Sequence, residues 1–139
     1  RWAVATFVDH AEYRFNQTEG GVQYQGIEVG WLPEGYELVR SRISDETEQR
    51  CYVKSVNGAE QRIDVQIMSF AGEGIFKIDT EADDVYQILV QNALATVIER
   101  GSCIQITWMY PESNCIVMLY SDNISAETAL RIAQSIVLS

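Results

Sequence analysis

A reaction needs a nucleophile, a base or a metal, and this chain offers few residues from which to assemble one. His10 is the single histidine, so a nucleophilic triad or an imidazole-based metal site has to be built around it. No serine stands in a G-x-S-x-G elbow. On a strand, His10 reads as an ordinary surface or half-buried residue. The glycine-containing run Ala71-Gly72-Glu73-Gly74 lacks a lysine and carries an acid, the wrong charge for cradling a phosphate. The most metal-like stretch is Asp79-Thr80-Glu81-Ala82-Asp83-Asp84, because carboxylates spaced by two resemble the start of an EF-hand loop. Its sixth position is Asp84, where that loop needs glycine, and its twelfth is Val90, where it needs a bidentate glutamate. The stretch therefore reads as a solvated acidic loop.

Cys51, Cys103 and Cys115 are odd in number and show no C-x-x-C spacing. Free, partly buried thiols are expected. No catalytic residue, no cofactor and no metal ligand is assigned, and the chain reads as non-enzymatic. Three tryptophans and seven tyrosines are the remaining binding-competent side chains. Aromatics on strand faces usually belong to the core, which is where Trp108 is expected. Trp31, beside the turn of Pro33 and Gly35, is expected to be exposed. With Tyr36 it is a candidate contact for a partner.

The elements that position these residues follow from hydrophobic periodicity. Residues 104–137 read as a strand, a turn, a return strand and a closing helix. With Tyr110 opposite Cys115, Trp108 faces Val117 and Ile106 faces Leu119, giving one nearly apolar face. Cys103 and Cys115 then lie far apart and cannot bridge. Ser125 is a good N-cap, with Glu127 in the first turn. The predicted helix reaches Val137, with Ala126, Leu130, Ala133 and Val137 as its apolar stripe and Ala129 and Ile136 beside it. Glu127 and Arg131, four apart, are expected to pair.

Upstream, residues 2–15 alternate like one long strand, with a helix over 2–13 as the competing reading. Residues 16–21 form a polar break. Strands are predicted over 36–43, 51–56, 62–68, 75–78, 85–90 and 94–99. Asn57-Gly58 is a strong hairpin signal, and Gln91-Asn92-Ala93 is another tight turn. Residues 69–74 and 79–84 read as loops. The fold class is α+β: an antiparallel meander of seven to nine strands with a C-terminal amphipathic helix packed on one face.

The 139 residues suit a single domain. A net charge of −10 argues against a nucleic-acid partner, because neutralising phosphates needs clustered Lys and Arg. No run of about 18 apolar residues is present, so any membrane attachment has to come from a span outside this sequence. Arg1, in place of an initiator methionine, is expected of a processed chain or a piece of a longer one.

An ordered set of short motifs carries a resemblance. Leu32-Pro33-Glu34-Gly35-Tyr36 comes first, followed by Ile78-Asp79-Thr80-Glu81 and Ile106-Thr107-Trp108. Ser125-Ala126-Glu127 and Ile132-Ala133-Gln134-Ser135-Ile136 complete it. The chain resembles the bacterial family known as domain of unknown function 4367 over about residues 31–137, with 1–30 an added strand and loop. Asn92-Ala93 departs from the Asn-Gly of that family's turn. The resemblance implies an extracytoplasmic domain on the cell-surface side of a membrane-anchored, anti-sigma-like protein, with no catalytic residues to carry over. The expected function is sensing or protein interaction. The alternative is a lipid- or peptide-binding module, with a small apolar ligand held between a curved sheet and its helix.

Overall fold

The computed structural model describes residues 3–6, 10–17, 26–44, 47–69, 72–81, 84–110 and 115–138. In chain order the elements are β1 (Ala3–Thr6), β2 (His10–Gln17), β3 (Ile27–Val29), β4 (Glu37–Ile43), β5 (Thr47–Val56) and β6 (Ala59–Ser69). There follow β7 (Gly72–Asp79), β8 (Asp84–Val90), β9 (Ala93–Arg100), β10 (Cys103–Tyr110) and β11 (Cys115–Asp122). Helix α1 (Ala126–Gln134) and β12 (Ile136–Leu138) close the chain. The architecture is α+β, mostly antiparallel sheet with one C-terminal helix. The main sheet has seven strands in the order β4-β5-β6-β11-β10-β9-β8, beside a three-stranded sheet β1-β2-β7 and the pair β12-β3.

The β10–β11 register is the one that apolar alternation dictates. Ile106 is opposite Leu119, Trp108 opposite Val117 and Tyr110 opposite Cys115, which gathers the apolar set of both strands on one face. The other face is covered too, and Thr107, Met109 and Ile116 are buried there. The tight hairpins use backbone conformations that suit right-twisted strands. Asn57 and Gly58 have φ of 52° and 81° and join Val56 to Ala59. In the β8–β9 turn the left-handed pair is Gln91 and Asn92, at 50° and 66°. Ala93 already opposes Val90 inside the sheet. That explains why position 93 does not need a glycine.

The main sheet is not one meander. The consecutive runs β4-β5-β6 and β8-β9-β10-β11 meet where β6 pairs with β11, while β7 leaves for the small sheet. The expected long strand over 2–15 is instead β1 and β2, antiparallel with Ala3 opposite Arg14. Both halves share the two-residue period, so alternation alone cannot show the reversal between them. β2 runs on to Gln17, into the expected break, and pairs along its length with β7. β7 begins at Gly72, so the predicted loop over 69–74 is mostly strand.

The helix also differs from expectation. Ser125 caps it, its hydroxyl accepting from the Thr128 N–H at 3.1 Å. The helix ends at Gln134, and the β-branched Ile136-Val137 pair turns into β12, where it pairs with β3. Pleating then buries Ile136 and leaves Val137 55% exposed. The buried residues of α1 are Ala129, Ile132 and Ala133, a stripe rotated from the predicted Ala126-Leu130-Ala133-Val137. They share a cluster with Ile63, Val65, Ile106, Trp108, Val117 and Leu119 of the sheet. A second cluster joins Ala11, Tyr13 and Ile78 of the small sheet to Ile98, Met109 and Ile116.

Candidate functional site

His10 belongs to an ion-pair group around a nearly buried carboxylate. Its Nε2 is 3.2 Å from Glu12 Oε2, with Arg14 at 3.1 Å and Lys77 at 3.8 Å from the same carboxyl group. Burial alone would raise the Glu12 pKa. The hydrogen bonds from Arg14 and His10, with the charges of Arg14 and Lys77, outweigh it and hold the group below the usual carboxylate range.

The acidic stretch is tied down locally. Asp79 Oδ1 accepts the Glu81 N–H at 2.9 Å. The Arg100 guanidinium donates to the carbonyls of Asp79 and Glu81 at 2.8 and 3.0 Å. Ala82 and Asp83 lie outside the described residues. Among the described residues no three His, Cys, Asp or Glu side chains converge as a metal site would require.

None of the three cysteines forms a disulfide. Cys51 lies across from Asp64, and burial, followed by that carboxylate, pushes its thiol up to about 11. It is protonated near neutrality and a poor nucleophile. Cys103 sits in a network that spacing could not reveal. It stands opposite Asp122 on the neighbouring strand and donates to Asp122 Oδ1 at 3.3 Å. The Tyr120 hydroxyl reaches Cys103 Sγ at 3.1 Å and Asp122 Oδ1 at 2.9 Å. Hydrogen bonds to Cys103 and then Asp122 raise the Tyr120 pKa. The carboxylate is thus a shared acceptor for a thiol and a phenol.

Trp31, expected to be exposed, is half-buried. It packs at the margin of the larger cluster, and the Arg131 guanidinium lies 3.9 Å from its ring centroid. Arg131 is engaged there, and no ion pair with Glu127 forms among the described residues. The Trp31 N–H donates to Ser135 Oγ and the Gly30 N–H to the Ser135 carbonyl, both at 3.0 Å. The segment is therefore pinned to the end of the helix. Tyr36 is also half-buried. Its hydroxyl donates to Gln61 Oε1 at 3.4 Å, and the Lys54 ammonium is 5.9 Å from its ring. Burial, with Asp122 adding to it, raises the Tyr36 pKa.

Immediately after Tyr36 comes the feature that sequence reasoning missed. β4 is the last strand of the main sheet, and every side chain from Glu37 to Ile43 is exposed. Val39 is bulged out of the ladder between Leu38 and Arg40. Leu38, Val39 and Ile43 are 52%, 59% and 76% exposed. Arg40 and Arg42 make no ion pair among the described residues. A signal exists in the sequence, because arginines two apart share one face of a strand. Nothing local marks this strand as an edge.

Fold and surface define an α+β domain whose distinctive exposed element is a sheet edge. The family described as domain of unknown function (DUF4367) matches residues 26–136, and the chain belongs to that family. No curated protein and no solved structure matches the chain.

Proposed function

We propose that this chain is a non-enzymatic sensing or protein-interaction domain, held outside the cytoplasm by a membrane-anchored bacterial protein. The observation that carries the reading is β4. In a sheet whose central strands are buried on both sides, one edge strand has all seven side chains in solvent. Exposed apolar groups clustered with unpaired charge are typical of binding surfaces. Trp31 and Tyr36, half-buried and each with a cation near its ring, precede β4 in the chain and are the proposed partner contacts. In this reading α1 is the cover of the sheet face carrying Ile106, Trp108 and Leu119, so that the partner meets the edge and its rim.

Photo-crosslinking in intact cells tests the proposal, with a benzophenone side chain placed either at Val39 or at Leu89 on the opposite edge. A discrete adduct from Val39, absent from Leu89 and lost on protease treatment of unbroken cells, is the expected result. Equal labelling at both positions, or none at Val39, would overturn it.

A further inference from the structure

We infer that β4 receives an added strand, namely an extended segment of a partner protein in which acidic and apolar residues alternate. This rests on the reading of the chain as an interaction domain and names the partner's chemistry. An edge strand presents unpaired N–H and C=O groups along its free side, a ready template for another chain. The two edges of the main sheet differ in this respect. At β8 the helix end intrudes, with Gln134 Nε2 donating to the Leu89 carbonyl at 3.1 Å. No helix or strand among the described residues covers β4.

The side chains of β4 set the identity of the added strand. Arg40 and Arg42 lie opposite Cys51 and Gln49, which places them on one face of the sheet. Leu38 and Ile43 lie opposite Tyr52 and Glu48, on the other. Directly opposed residues on paired strands sit about 4.5–5.5 Å apart on the same face. Carboxylates two residues apart would therefore meet Arg40 and Arg42, while the intervening apolar residues extend the face of Leu38 and Ile43. Five of the ten basic residues, Arg40, Arg42, Arg50, Lys54 and Arg62, lie on β4, β5 and β6. Arg50 and Arg62 are paired with Glu48 and Asp64, and Lys54 lies on β5 near the Tyr36 ring, so Arg40 and Arg42 are the edge-strand cations available to a partner. A second copy fits badly. Antiparallel pairing of β4 with itself about Ser41 sets Arg40 against Arg42, and opposed like charges are destabilising.

Binding of fluorescein-labelled eight-residue peptides, followed by anisotropy, tests the inference. The probes are alternating Glu-Val, alternating Lys-Val, and the Glu-Val peptide with two central valines replaced by proline. The Glu-Val peptide should bind. Proline should abolish binding, because it cannot donate to the ladder. The double variant Arg40→Glu/Arg42→Glu should weaken Glu-Val binding by about tenfold or more and accept the Lys-Val peptide instead. Equal binding of the proline peptide would reduce the effect to charge attraction and overturn strand addition. So would indifference to the double variant, binding of neither peptide, or a concentration-dependent dimer of the chain abolished by the same variant. If the peptides fail but Val39 still crosslinks in cells, the interaction reading stands and only the acidic strand falls.

Discussion

Gln91 and Gln134 hold the β8–β9 turn and the end of the helix together. The Gln91 backbone N–H donates to Gln134 Oε1 at 3.0 Å, and the Gln91 side-chain amide donates to the Gln134 carbonyl at 3.3 Å. The same amide reaches the carbonyls of Ala133 at 3.2 Å and Ile136 at 2.5 Å. Its oxygen accepts from the Tyr110 hydroxyl at 3.1 Å. A helix leaves its last carbonyls without intrahelical partners, and here a side chain some forty residues upstream reaches those of Ala133 and Gln134. Gln91→Ala should cost about 1–2 kcal/mol, the order of one or two partly buried hydrogen bonds. Urea unfolding at unchanged slope should show it. A midpoint within error of wild type would mean that water replaces the amide without loss.

On the alkaline side, stability should fall as pH rises above about 9. Cys51 titrates near 9.0 when unfolded and about 11 when folded. Between those values the folded chain keeps a proton that the unfolded chain has released, so stability declines as pH rises. Tyr13 acts in the same direction above its ordinary value of 10.0, because burial raises it. Its hydroxyl is bonded to Thr96 Oγ1 at 2.7 Å and the Thr107 carbonyl at 3.0 Å. Burial raises the Cys115 thiol from the same ordinary value, so Cys51→Ser should reduce the first part of the decline without removing it, and Tyr13→Phe should reduce the further decline above pH 10. Urea midpoints measured from pH 8 to 11 decide it, and parallel curves for all three proteins would reject the assignment.

Local signals in the sequence locate the hairpins and the cap but not the long-range pairings. The β10–β11 register follows from the parity of Ile106 and Trp108, the β5–β6 turn from Asn57-Gly58, and the helix start from Ser125. Each depends on residues a few positions apart. The pairings of β6 with β11 and of β2 with β7 depend on partners 46 to 69 residues away, and alternation says nothing about those. The same is true of Trp31, whose half-buried state is set by Arg131 and Ser135, a hundred residues downstream. Ile136 and Val137 fit a helical stripe, so periodicity extends the helix too far. Only pairing with β3 makes them strand. The edge position of β4 is a property of the whole sheet, so Arg40 and Arg42 read as ordinary strand charges.

Gly30 has a steric role at the joint between β3 and the helix end. A Cβ there would meet the Ser135 carbonyl oxygen at 2.9 Å and its Cβ at 3.5 Å. The near atom is backbone, already bonded to the Gly30 N–H, so it has little room to yield. Gly30→Ala should lower stability by roughly 1–3 kcal/mol, the range for overpacked sites. A thermal melt compared with Gly58→Ala separates crowding from loss of glycine freedom. A Cβ at Gly58 meets nothing within 4 Å, but its φ of +81° penalises alanine by itself. If Gly30→Ala melts with wild type, the joint is looser than this geometry implies.

The closing helix provides the sharpest test of how the larger cluster is held. Ile132 is fully buried among residues of the sheet, whereas Leu130 is only half-buried at the margin. Ile132→Ala should cost about 2–5 kcal/mol, as large-to-small changes in a core do. Ile132→Asp should prevent folding, because an unpaired charge would be left in an apolar interior. Leu130→Asp should be tolerated better, since its side chain can turn its charge toward water. Removing residues 125–139 should do more than either substitution. It would take away Ala129, Ile132, Ala133 and Ile136 together and expose Ile106, Trp108 and Leu119, all at most 1% exposed in the intact chain. A contiguous apolar surface of that kind drives association. Size-exclusion chromatography, binding of a hydrophobic dye and near-UV circular dichroism read the outcome. Aggregation or a molten state is expected for the truncated chain. A truncated monomer with unchanged near-UV dichroism would show that the sheet keeps its packing without the helix.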